Sequence, residues 1–139
     1  VESHLAPPGA SEHQTGLAVD IMATAYPVLD EKQAKTEEQQ WLMEHCWEYG
    51  FILRYPTDKS SVTGIGYEPW HYRYVGQETA ASIYERGLCL EEYIAVPEVE
   101  GASEKLQAAV DAALAPGGGW QLPVANSDTD SKAEEKNYI

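Results

Sequence analysis

Three short stretches of the chain have the residue pattern of β-strands. Apolar and polar positions alternate from Leu17, GFILRYP at 50–56 ends in proline, and WHYRYVG at 70–76 is rich in aromatic residues. In the first stretch Asp20 shares a face with Ala18, whose small side chain leaves room beside the carboxylate. The pattern therefore predicts three short strands, with an acidic group projecting from the first.

Segments between and after these strands have the residue pattern of helices. Residues 36–49 predict a helix with Thr36 as its N-cap, Gln39 at the capping-box position and Gly50 as its stop. Three more elements are predicted after the strands: a helix over 77–86 stopped by Gly87, a short element at LEEYI, and a helix capped by Ser103 that runs to Ala115.

The remaining segments predict loops and a tail. Residues 1–16 and the polar segment 58–66 are interpreted as loops, PGGG at 116–119 ends regular structure, and NSDTDSKAEEKNYI at 126–139 is strongly polar. This divides the chain into a core domain at 1–96, a helical appendix at 97–125 and a mobile polar tail at 126–139.

Charge excludes some classes of partner. Nine basic residues against 23 acidic ones give the 139-residue chain a net charge of −14. That sign disfavours binding to nucleic acid or to anionic lipid. The sequence contains no apolar run long enough to cross a membrane. Cys46 and Cys89 are too few for a disulfide framework and are predicted to be buried thiols.

The residues that could carry chemistry are two histidines and two acids. The chain has no HExxH, GxSxG or Walker sequence, which removes common zinc-helix, serine-nucleophile and nucleotide interpretations. His13, Asp20 and His71 together supply two imidazoles and a carboxylate, the ligand set of a catalytic zinc site with an open position for water. Glu68 could then take a proton from that water.

An alternative stays open for Glu68 and His71 taken alone. Residues three apart on a regular strand face opposite ways, and Pro69 between them forbids a regular helix. A kink at Pro69 could bring both side chains into one pocket. The simpler interpretation of the pair, favoured when it is considered in isolation, is the start of a strand with Glu68 in solvent.

Two motifs in order resemble a known family. The pattern S-x-H-x-x-G-x-A-x-D spans residues 11–20 and E-P-W-H spans 68–71, accompanied by GFILRYP and HYRYVG. Together they resemble the VanY-like zinc carboxypeptidases of bacterial cell-wall metabolism, over about residues 6–94. The resemblance implies an α+β fold shared with the hedgehog signalling domain, in which helices flank a small antiparallel sheet.

The resemblance also implies roles for single residues. His13, Asp20 and His71 would bind one Zn²⁺ per chain, and Glu68 would be the catalytic base. Ser11 would help to hold the terminal carboxylate of a peptide. Tyr55 and Trp70 would form pocket walls, although ordinary core aromatics are an equally good interpretation of both. Arg54 and Arg73 are interpreted as structural ion-pair partners.

The expected activity is hydrolysis of the C-terminal D-alanyl bond of a peptidoglycan stem peptide. D,D-carboxypeptidase activity is favoured, L,D-carboxypeptidase activity stays open, and the place of action would be the extracytoplasmic cell envelope of a bacterium.

Family members carry an upstream segment whose arginine engages the substrate, and this chain begins after it. Loss of such a donor typically costs about 100- to 1,000-fold in turnover. The alternative is a zinc-binding recognition module of the cell wall without turnover.

Overall fold

The computed structural model describes residues 9–95 and 101–117 and contains a three-stranded antiparallel sheet. Strand β3 (His71–Tyr74) lies in the middle, between β1 (Ala18–Asp20) and β2 (Phe51–Leu53). The register pairs Asp20 with His71 on one side of β3. All three predicted strands are confirmed, each shorter than its sequence pattern.

The helix predicted over residues 36–49 begins and ends as expected but changes type. Helix α1 (Glu37–His45) starts at Thr36, whose side chain accepts a hydrogen bond from the backbone N–H of Gln39. It continues as a 3-10 turn, Cys46–Tyr49, and stops at Gly50, where φ is +81°. Glycine is favoured at this left-handed position, and a Cβ there would lie 2.7 Å from the ring of Tyr74.

Two predictions about local structure were wrong. The segment 58–66 is not an open loop, because it holds a 3-10 turn (Thr57–Lys59) and the short helix α2 (Ser60–Thr63), closed by a hydrogen bond from the Gly64 N–H to the Ser60 carbonyl. Ser103 does not cap the last helix. The chain turns at Gly101 in a left-handed conformation, so the helix has already begun one residue before Ser103.

The other helices follow the sequence pattern. Helix α3 (Gln77–Arg86) has the predicted bounds and ends at Gly87, and α4 (Leu90–Ala95) is the short element predicted at LEEYI. The last helix described is α5 (Ala102–Leu114). Within the described ranges, none of the helices combines the length and apolarity needed to span a lipid bilayer. Helices around a small antiparallel sheet confirm the α+β class.

The main core lies between the sheet and helices α3 and α4. Its fully or nearly buried members are Ile52, Val75, Ala80, Ile83, Leu90 and Tyr93. Helix α5 packs on this core through Leu106, and it approaches so closely that a Cβ on Gly76 would lie 2.6 Å from that of Ala109. The boundary predicted at 96/97 and the tail at 126–139 stay predictions, since residues 96–100 and 118–139 lie outside the described ranges.

Two buried glutamines hold the long segment between β1 and α1. The side-chain amide of Gln33, which is fully buried, donates to the carbonyls of Tyr26 and Val28 and accepts from the N–H of Ala23. Gln39, also fully buried, donates to the Ile21 carbonyl and accepts from the Tyr72 hydroxyl. These amides satisfy backbone groups that no strand or helix pairs.

Both cysteines are free thiols in the interior, as predicted. Burial raises the pKa of Cys46 from 9.0 to about 12, and burial also raises that of Cys89. A raised pKa leaves less of the reactive thiolate at neutral pH. We expect neither thiol to react with iodoacetamide in the folded protein and both to react in urea, as counted by mass spectrometry. Labelling of Cys46 at the rate of the unfolded chain would contradict this burial.

Candidate active site

One cleft collects every residue for which the sequence predicted a site role. It has a volume of about 480 Å³, and its lining includes seven such residues: Ser11, His13, Asp20, Tyr55, Glu68, Trp70 and His71. These positions come from four separate parts of the chain, so only the folded arrangement brings them together. The cleft lies at the end of the sheet where β1 finishes and β3 begins.

The first motif folds as a single 3-10 turn, Glu12–Thr15, with a cap at each end. The Ser11 hydroxyl accepts a hydrogen bond from the His13 N–H, and the N–H of Gly16 donates to the His13 carbonyl. Gly16 has φ +72°, which favours glycine. The spacing S-x-H-x-x-G is therefore the length of one capped turn, and this turn presents His13 to the cleft.

The sheet register brings the other two candidate ligands together. Asp20 is directly opposite His71 in the antiparallel pair of β1 and β3, so their side chains lie on the same face. Asp20 Oδ1 is 3.3 Å from His71 Nδ1 and 3.2 Å from His13 Nε2. Asp20 thus lies between the two imidazoles, whose ring centroids are 4.8 Å apart.

The segment before β3 places Glu68 beside this group. The His71 N–H donates to the Glu68 carbonyl, which closes a turn with Pro69 at its second position, where the fixed φ of proline fits well. Glu68 is only 6% exposed, and its Oε2 lies 3.7 Å from His71 Nδ1. The interpretation with Glu68 in solvent was wrong, because the turn folds the carboxylate back against the histidine.

The donor set fits a zinc ion. One nitrogen or oxygen atom from each of His13, Asp20 and His71 lies within 4.8 Å of the others. Tetrahedral zinc with bonds of about 2.0–2.1 Å requires neighbouring ligand atoms about 3.3 Å apart. The two distances from Asp20 to the imidazoles, 3.2 and 3.3 Å, match that spacing. Within the part of the chain that the structure describes, this group has three members, which leaves a fourth position open.

The residues predicted as pocket walls differ in burial. Trp70 is 9% exposed and its carbonyl accepts from the N–H of Ile21, so it also fastens the end of β1. The ring of Tyr55 is half-buried and lies 4.9 Å from that of His71. Burial and the charge of Glu12 raise the pKa of Tyr55 to about 12, so its hydroxyl stays protonated at neutral pH. Leu29 and Ile65 line the same cleft and were not predicted.

The comparison with known families decides the classification. The family model described as VanY, D-alanyl-D-alanine carboxypeptidase, matches residues 1–77, more than half of the chain. The chain belongs to the VanY family. A D-alanyl-D-alanine carboxypeptidase of Enterococcus faecalis is 53% identical over 93 residues, which are 67% of this chain and 33% of that protein. The chain therefore spans about a third of the length of this relative.

Solved structures of similar proteins agree with the VanY classification. The LdcB LD-carboxypeptidase has a TM-score of 0.62 at 45% identity, covering 66% of this chain and 43% of that one. VanYB in complex with D-alanine-D-alanine has a TM-score of 0.58 at 52% identity, covering 67% and 49%. A variant of a VanY D,D-pentapeptidase in complex with Zn(II) has a TM-score of 0.53 at 53% identity, covering 63% and 46%.

One charged residue at the VanY-family cleft was missed by sequence reasoning. Glu12 lies beneath His71, with its Oε2 3.1 Å from His71 Nε2. Its Oε1 accepts from Arg54 Nε at 2.7 Å and from Arg73 Nη1 at 3.0 Å. Both arginines form ion pairs, as predicted. The sequence of β3 could have indicated this residue. Alternation along the strand puts Arg73 on the same face as His71, and a charged arginine at such a position is expected to have an acidic partner.

Opposing effects set the charge of Glu12. Burial alone would raise its pKa, but hydrogen bonds from His71 and Arg54 and the positive charges of Arg54 and Arg73 outweigh burial. Together they lower the pKa of Glu12 from 4.5 to about 2. Glu12 is therefore an anion at neutral pH, enclosed by three donors.

Proposed function

We propose that this chain carries the zinc site of a carboxypeptidase that removes the C-terminal D-alanine from peptidoglycan stem peptides. One observation carries the proposal: three candidate zinc ligands and a buried carboxylate line the same cleft. Membership of the VanY family supports the substrate class. Action on peptidoglycan would place the protein in the extracytoplasmic cell envelope.

His13, Asp20 and His71 would hold one Zn²⁺ per chain. When bound, zinc supplies Lewis acidity for the scissile carbonyl and lowers the pKa of water. Glu68 lies outside the ligand group and beside His71 Nδ1, at the position suited to a base. It would take a proton from the attacking water and return it to the leaving amine.

Ser11, Tyr55 and Trp70 would bind the peptide. The Ser11 hydroxyl already accepts the His13 N–H, and its own hydrogen can be donated to a substrate carboxylate. The protonated Tyr55 hydroxyl is a second donor at the cleft. Trp70 would form an apolar wall against the methyl group of D-alanine. An L,D-carboxypeptidase and a D,D-pentapeptidase are both among the similar structures. We favour D,D specificity because the relative from Enterococcus faecalis is a D-alanyl-D-alanine carboxypeptidase.

The second candidate function is zinc binding for recognition without turnover. A structural zinc site normally has four protein ligands, whereas the group described here has three. A buried carboxylate next to an open position also suits catalysis better than recognition. Both observations favour the enzyme.

Release of D-alanine from muramyl pentapeptide and tetrapeptide tests the proposal. We expect the zinc-loaded protein to release D-alanine, faster from the pentapeptide, and the chelated protein to release none. Asp20→Asn should weaken zinc binding, because the neutral amide is a poorer ligand than the carboxylate. Its matched control is Asp58→Asn, an exposed position outside the cleft lining. Stoichiometric zinc without release would instead support the recognition module.

A further inference from the structure

The contacts of Glu12 define which nitrogen of His71 carries its hydrogen. A carboxylate held between the two guanidinium groups of Arg54 and Arg73 can only accept hydrogen bonds. His71 Nε2, 3.1 Å from Glu12 Oε2, must therefore be the donor. In the neutral imidazole that a metal binds, the single N–H is then on Nε2, and Nδ1 carries the lone pair.

Nδ1 is the nitrogen of His71 that faces the candidate metal position. Nδ1 is the atom of His71 that lies 3.3 Å from Asp20 and 3.7 Å from Glu68. The His71 side chain is only 7% exposed, so solvent is poorly placed to orient the ring in place of Glu12. His13, by contrast, has a side chain 41% exposed. His71 is thus the ligand whose orientation depends on protein contacts.

We propose that Glu12 is a positioning residue that holds the proton of His71 on Nε2 and so keeps Nδ1 available for zinc. This inference rests on the proposed zinc site. A hydrogen bond from the far nitrogen of a ligating histidine to a carboxylate fixes its tautomer and raises its basicity, and its loss typically lowers metal affinity about 10- to 100-fold.

The arginines keep the carboxylate in place. Arg54 binds Glu12 through Nε, and its two terminal nitrogens donate to both carboxylate oxygens of Glu91 in helix α4, at 2.9 and 2.6 Å. Such a paired geometry fixes the guanidinium plane. Arg73 holds the same Glu12 oxygen from β3. Glu12 is therefore fixed by two arginines, one in β3 and one directly after β2.

Glu12→Gln tests the proposal because glutamine cannot satisfy all three neighbours. Its amide oxygen would accept from the two arginines, which turns the NH₂ group toward His71 Nε2. Two donors would then face each other unless the imidazole proton moves to Nδ1. We expect that tautomer in the metal-free variant, read from long-range ¹H–¹⁵N NMR of the His71 ring. Zinc affinity, measured by competition with a chelator, should fall about 10- to 100-fold.

Glu78→Gln is the matched control. Glu78 in α3 lies outside the cleft lining, and its ion pair is with Lys105. We expect its His71 tautomer and zinc affinity to match those of the unsubstituted protein. If Glu12→Gln and Glu78→Gln give the same tautomer and the same affinity, Glu12 has only a structural role and the proposal is wrong.

The tautomer of His71 in the unsubstituted protein is an independent test of the proposal. In the neutral ring of its His71, a proton on Nδ1 instead of Nε2 would overturn the proposal even if Glu12→Gln failed to fold. A protein that binds no zinc at all would contradict the proposed function, while the tautomers of the metal-free proteins would still decide the role of Glu12. The two failures are therefore distinguishable.

Discussion

Replacing Glu68 with glutamine is expected to lower D-alanine release by about 10²- to 10⁴-fold, the usual contribution of a general base. Glutamine has nearly the same size and can still fill the buried position, but its amide cannot accept the proton of the attacking water. Glu68 lies outside the group of three candidate ligands, so stoichiometric zinc binding should persist. Release is measured with zinc-loaded protein, and bound zinc is measured on the same sample.

Glu85→Gln is the control for this result. Glu85 is an exposed glutamate in α3, outside the cleft lining, so the same chemical change there should leave turnover and zinc content as they are. If Glu68→Gln retained the turnover of the Glu85→Gln protein, another group would have to be the base. If it lost zinc together with activity, Glu68 would act as a ligand instead.

Replacing Arg54 with alanine is expected to destabilise the fold by about 3 kcal/mol, the lower end of the cost of breaking a buried ion pair. Arg54 is 8% exposed and pairs with two acids, Glu12 from the first motif and Glu91 from α4. Both acids are only partly buried, and Glu12 keeps Arg73 as a guanidinium partner, which limits the loss. The free energy of unfolding, obtained from urea titrations with an unchanged m-value, measures the loss.

Lys59→Ala provides the comparison for Arg54→Ala. Lys59 also pairs with a residue of α4, Glu92, but both side chains are more exposed than Arg54. We therefore expect a smaller loss for Lys59→Ala than for Arg54→Ala. Arg54→Lys keeps the charge but not the planar guanidinium group. Its loss of unfolding free energy should be larger than that of Lys59→Ala and smaller than that of Arg54→Ala. A loss for Arg54→Ala no larger than that for Lys59→Ala would mean that water replaces the guanidinium at little cost.

Local patterns sufficed for elements with clear start and stop residues. Helix α3 and its Gly87 stop, and the Thr36 cap of α1, were predicted because each depends on neighbours within one turn. The segment between β1 and α1 was not predicted beyond its ends. Its backbone is held by Gln33 and Gln39, and nothing in the local sequence distinguishes a buried glutamine from an exposed one.

The residues of the candidate site also differ in whether local sequence could predict them. His13, Asp20, Glu68 and His71 belong to motifs, and the structure gathers them at one cleft, although their roles stay predictions. Glu12 belongs to the same motif but was passed over, because its partners Arg54 and Arg73 are 42 and 61 residues away. Only the folded arrangement of these distant parts of the chain brings the three charges within hydrogen-bonding distance.

The two buried glutamines have a consequence for how this cleft can diversify. Because they bind the backbone of the β1–α1 segment, the exposed side chain of Leu29 is not needed to hold that backbone in place. Leu29 is 45% exposed at the wall of the cleft. The shape of this wall could therefore change by substitution at Leu29 while the segment keeps its path.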